Sequence, residues 1–208
     1  MQQETRKLTK KEREELESLV ALSTQVGRAV LFLVAVTAIG AVFRALQGLV
    51  SIDVPAWVLP TAAFGYWLYR RAGRWTGGPE LRRRVRRDID QGEARVTVIE
   101  PVDITEFEEL EDEGPSYVIR TAGDDWLLLS GQEMLRHKRR GFPWSQFGVV
   151  EAPSSGVFFG LRKTGDSVPV TRTLPPMAYD LARDLGTFER TFVVLDEAGR
   201  ALLADTTG

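Results

Sequence analysis

From Ala29 to Phe43 the sequence reads AVLFLVAVTAIGAVF, fifteen residues without a charge. An amphipathic surface helix keeps polar residues on one face, whereas here apolar side chains occupy every helical face from Ala29 to Val36. A 19-residue window over the run averages roughly +2 in hydropathy, the level of a membrane span. As a helix the run is only about 22 Å long, against a hydrocarbon core of roughly 30 Å. The span would therefore extend toward Ile52, with Arg28 and Arg44 snorkelling to the headgroups. A second apolar segment, Val54 to Tyr69, has Trp57 near one end and Tyr66, Trp67 and Tyr69 near the other, placed as interfacial aromatics. The expectation is a transmembrane α-helical hairpin over residues 29–70.

Charge sets the expected orientation. Residues 1–90 carry 15 basic and 9 acidic side chains, a net of +6, while residues 91–208 carry 12 and 20, a net of −8. Arg6, Lys7, Lys10, Lys11 and Arg13 precede the first apolar run, and Arg70, Arg71 and Arg74 follow the second. By the positive-inside rule this predicts a multi-pass protein of the inner (plasma) membrane with both termini cytoplasmic. A cleaved signal peptide is not expected, because the region before the run holds Glu4, Glu12, Glu14, Glu15 and Glu17.

The remainder divides into three parts. Residues 1–28 read as an amphipathic helix, with Thr9 and Glu12 at capping-box spacing and Leu16, Leu19 and Val20 as an apolar stripe. Residues 71–92 read as a basic linker in which Leu81, Val85 and Ile89 make one ridge of a short helix. The rest of that helix carries Arg82, Arg83, Arg84, Arg86 and Arg87, a candidate site for the headgroups of membrane lipid; the plainer reading is a topology signal beside a span. Nucleic acid is not an expected partner, since a basic run alone lacks the other features of such an interface.

From residue 93 the period shortens to two. Residues 93–208 are expected to form a cytosolic, mainly β domain, a small barrel or two-layer sandwich with one short helix. Its strand candidates are ARVTVIEPVDITEF, broken near Pro101, then Ser116–Thr121, Trp126–Ser130, Phe147–Glu151, Gly156–Arg162 and Ser167–Val170. Phe192–Asp196 and Arg200–Ala204 read as a closing hairpin around Ala198 and Gly199, and Pro176–Leu185 as the helix. The residues Glu111, Asp112, Glu113, Gly114, Pro115 and Tyr117, the run Leu127 to Gln132, and Phe142 with Pro143 resemble uncharacterised bacterial two-span membrane proteins with a small cytosolic β domain. The resemblance implies an architecture and brings no activity, cofactor or catalytic residue.

Composition narrows the chemistry. With no Cys and a single His, there is no disulfide, thiolate nucleophile, Cys-based metal site or multi-histidine centre, and no cofactor is expected. The acidic cluster Glu106, Glu108, Glu109, Glu111, Asp112 and Glu113 lacks the ligand order of a calcium loop and reads as a solvated strip. His137, inside Arg136–Arg140, reads as a surface loop residue held neutral by its cationic neighbours. The expected function is non-enzymatic: a membrane protein presenting its β domain to a protein partner, a second copy or the membrane surface. The alternatives are a membrane-bound enzyme using Glu109 or Asp112, and an oligomeric pore-forming or stress effector with Arg44 facing water.

Overall fold

The computed structural model describes residues 1–21, 78–109, 112–187 and 190–207. The chain divides into two compact units, one of residues 1–8 with 93–208 and one of residues 9–92. In the second, helix α1 covers residues 10–21 and helix α2 spans Gly78–Gln91. The capping box forms as its spacing predicts: Thr9 N–H donates to Glu12 Oε2 at 2.8 Å, and Glu12 N–H donates to Thr9 Oγ1 at 3.4 Å. Leu16 on α1 and Val85 on α2 are buried, and Arg13 Nη2 donates to the Ile89 carbonyl at 3.0 Å, joining the two helices.

The expected fold class, a membrane hairpin joined to a β domain, is corrected. The structure is mostly β sheet, and among the described residues no helix is long and apolar enough to cross a membrane. Helix α2 spans 14 residues, about 21 Å, and carries five arginines, each costly in hydrocarbon. The proposed spans over residues 29–70 lie outside the described residues. The transmembrane assignment, and with it a multi-pass inner-membrane location with cytoplasmic termini, has no support in the structure.

The β-rich unit holds two sheets. The first contains β1 (Gln2–Lys7), β2 (Glu93–Ile99), β6 (Phe147–Glu151) and β7 (Phe158–Lys163) in the order β1-β2-β6-β7. The second contains β3 (Pro101–Phe107), β4 (Ser116–Thr121), β5 (Trp126–Leu129), β8 (Arg172–Leu174) and β9 (Phe192–Leu195) in the order β8-β3-β4-β5-β9. Pro101, which cannot donate to a ladder, opens β3 as the chain passes between sheets. Every described pairing is antiparallel except β3 with β8. Three short helices complete the unit: α3 (Glu133–Lys138), α4 (Tyr179–Asp184) and α5 (Glu197–Thr207).

The five-stranded sheet is buried on both faces. Ile104, Tyr117, Ile119, Leu127 and Leu129 form one core with Ile99, Phe147 and Val149 of the other sheet. On the opposite face Phe107, Val118, Leu128 and Leu195 pack with Ala182 and Leu185 near α4 and Leu203 of α5. The order is sheet, sheet, helices, three layers instead of the expected two. Residues 2–7, expected within a helix over 1–28, are strand β1. Arg200 to Ala204, expected as the second arm of a hairpin, lies in α5, because Asp196 Oδ1 accepts the Gly199 N–H at 2.9 Å and starts a helix there.

Candidate functional site

Between the helical face of the five-stranded sheet and α5 lies a cleft of about 420 Å³, inside the range of small-ligand sites. Period-two alternation places it: on β3, Ile104 and Glu106 turn toward the inter-sheet core, so Thr105 and Phe107 face α5. Phe107, Val118, Trp126 and Leu203 supply the apolar wall. At one edge β8 brings Arg172 in parallel register opposite Thr105, and Arg172 Nε donates to Thr105 Oγ1 at 2.9 Å. That bond fixes the side chain while its terminal nitrogens have no acceptor among the described residues. On α5, Glu197 and Arg200 stand one turn apart on the rim; Arg200 Nη1 lies 3.9 Å from the exposed Asp124. The site therefore combines an apolar pocket with an oriented, incompletely satisfied guanidinium.

None of these residues was a sequence candidate. Arg172 and Arg200 are separated from Thr105 and Trp126 by long stretches of chain, and only the sheet order joins them. One local signal for the helical wall did exist: Asp196 at an N-cap position followed by Glu197 in the first turn.

The candidate arginines of α2 separate by geometry. Arg84 Nε pairs with Glu80 at 3.3 Å. Arg82, Arg83 and Arg86 line a concavity of about 210 Å³ with Pro79, and Arg87 is exposed off that lining. The acidic cluster separates too. Glu108, Glu109, Asp112 and Glu113 are exposed, and Glu111 lies outside the described residues. Glu106 is buried, because its place on β3 turns it inward, where Lys138 Nζ lies 2.5 Å away and the Tyr117 hydroxyl donates to it at 3.4 Å. Burial, followed by the charge of Glu106, pushes the Tyr117 phenol well above its ordinary range.

His137 is a second correction. It is 3% exposed, because α3 directs Met134 and His137, three residues apart, into the core. Leu161 N–H donates to His137 Nε2 at 3.3 Å, which assigns the ring proton to Nδ1. Nδ1 and the Nε1 of Trp144, whose ring meets His137 edge-on at 6.1 Å, are buried donors without an acceptor among the described residues. Burial above all, then the neighbouring Arg136, holds the imidazole below its ordinary pKa. Since the folded value is lowered, the unfolded chain binds the extra proton first as pH falls, so this contribution to stability is complete above about pH 6.5 and is lost progressively below it. His137 is the only histidine in the chain. Urea denaturation at a series of pH values is expected to show a loss of at most about 1.4 kcal/mol per pH unit from this group just below pH 6.5. His137→Gln, which keeps an acceptor for Leu161 N–H, should flatten that limb; an unchanged slope would refute the assignment.

Compared with protein-family models, with curated proteins and with solved structures, the chain matches none.

Proposed function

We propose that the β-rich unit is a non-covalent binding module for an apolar molecule bearing one carboxylate. The observation that carries this is the Arg172 guanidinium, oriented by Thr105 at the edge of an apolar cleft of about 420 Å³. Phe107, Val118, Trp126 and Leu203 would cover the apolar body, and the two terminal nitrogens of Arg172 would take the carboxylate in a fork. Glu197 on the rim disfavours ligands with a second negative charge at that end. Glu109 and Asp112, the carboxylates of the enzymatic alternative, do not border the cleft.

Calorimetric titration of the full chain with octanoate and with octanol tests the reading. Octanoate is expected to bind and octanol to bind more weakly by 10- to 100-fold, the equivalent of about 1.5–3 kcal/mol for a charge-assisted hydrogen bond. Arg172→Met keeps much of the side-chain bulk and should bring the two ligands to similar affinity. Equal binding of both by the unmodified protein, or octanoate binding unchanged in the variant, would overturn the proposal.

A further inference from the structure

Helix α2 carries a separate feature, on the other structural unit. Its sequence GPELRRRVRRDIDQ places Pro79, Arg82, Arg83 and Arg86 at i, i+3, i+4 and i+7, a single helical face. The buried positions Val85 and Asp88 lie on the opposite side. The arginine face lines a concavity of about 210 Å³ that is open to solvent, about seven times the ~30 Å³ share of one liquid water.

The charges on this face are uncompensated. Arg84 has a carboxylate in Glu80, whereas among the described residues no carboxylate lies within ion-pair distance of Arg82, Arg83 or Arg86. Arg82 Nε is moreover a buried N–H with no acceptor among the described residues. Like charges one turn apart destabilise a helix, so an anion seated among them would relieve repulsion and satisfy open donors together. Charge and acceptor number favour one anion. A phosphate group offers three acceptor oxygens and nearly two charges, against the two oxygens and single charge of a carboxylate, and so answers more of three guanidiniums' donors and charge.

We propose that Arg82, Arg83 and Arg86 form a binding site for a phosphate group. A soluble oligophosphate and a phosphate-bearing lipid headgroup share that chemistry, and the experiment separates them. The full chain is titrated with pyrophosphate, and separately floated with phosphatidylcholine vesicles with and without phosphatidic acid. The triple variant R82Q/R83Q/R86Q removes the forks at little cost in helix propensity. The variant K10Q/K11Q/R84Q removes the same net charge from the same unit but leaves the concavity intact. Binding of pyrophosphate, reduced at least 30-fold in R82Q/R83Q/R86Q and less than 3-fold in K10Q/K11Q/R84Q, establishes the site for a soluble ligand. Flotation that needs phosphatidic acid and shows the same variant pattern establishes it for a headgroup. Binding of neither probe, or equal losses in the two triple variants, would overturn the proposal.

Discussion

Phe147→Ala is expected to lower the stability of the β-rich unit by about 3–5 kcal/mol, the cost of emptying an aromatic site in a closed core. Phe147 is fully buried and stands in β6 where the two sheets face each other. Its ring meets Phe142 edge-on at 5.3 Å, and Phe142 in turn meets Tyr117 at 5.0 Å and Trp144 at 5.3 Å. These rings interlock across strands β4 and β6 and the segment after α3, so the cavity cannot close by moving one neighbour. Since domains are stable by only about 5–15 kcal/mol, this single change removes a large share of the margin. Urea denaturation followed by far-ultraviolet circular dichroism measures it. Val102→Ala, at a position 55% exposed, should stay within about 0.5 kcal/mol. A loss under 1 kcal/mol for Phe147→Ala would mean that this cluster does not hold the sheets together.

What could be seen in the sequence was local. The turn Gly123–Asp124–Asp125 is readable because the residues suited to a tight reversal are themselves adjacent; Asp124 adopts φ +60° and the Thr121 N–H donates to the Asp125 carbonyl at 2.9 Å. Phe147–Glu151 is readable because a short apolar run bounded by turns leaves few alternatives. Strand β1 was not readable: Gln2–Lys7 contains no apolar residue, and it is a strand only because Gln2 through Lys7 pair with Val98 through Glu93. Helix α5 was misread because Ala198 and Gly199 look like a turn unless Asp196 is recognised as a cap. A Cβ on Gly199 would lie 3.3 Å from Leu195 Cδ2 and 3.5 Å from Leu185 Cδ2, the apolar side chains beside the first turn of α5. The third layer was hidden for a related reason. Leu127, Leu128 and Leu129 are all buried, a run that signals burial on both faces, but sequence does not say what covers the second face.

The same locality limited the site. Arg82, Arg83 and Arg86 could be nominated because one helix holds them, whereas Arg172, Thr105 and Arg200 meet only through the parallel pairing of β3 with β8 and the position of α5. Glu106 looked like one more charge in an acidic strip, yet the strand period turns it toward Tyr117 and Lys138. Runs of like charge average over direction. Strands do not.

The short motifs around Gly114 and Gly131 acquire a physical meaning, and a test. Gly114 adopts φ +81°, and a Cβ placed on it would lie 2.6 Å from the carbonyl oxygen of Gly131 and 2.8 Å from its carbon. Two backbones thus touch where the chain enters β4 and leaves β5. The contact is tied on both sides: Gln132 Nε2 donates to the Asp112 carbonyl at 2.8 Å, and the Gly131 carbonyl accepts the Met134 N–H at 2.9 Å, opening α3. Tyr117 then pairs in register with Leu129 and meets Phe142. Gly114, Tyr117, Leu129, Gly131, Gln132 and Phe142 are therefore tied together by backbone contact, register and ring packing. Gly114→Ala combines left-handed strain of about 1–2 kcal/mol with overpacking of about 1–3 kcal/mol, for an expected loss of about 2–5 kcal/mol. At about 2–4 °C per kcal/mol for a chain of this size, calorimetry should record a fall in Tm of roughly 4–20 °C. Gly156→Ala separates the two contributions, because Gly156 has φ +71° with nothing within 4 Å of the added carbon. It should show the backbone strain alone. If both variants lose the same stability, the close approach to Gly131 is not what requires a glycine at position 114.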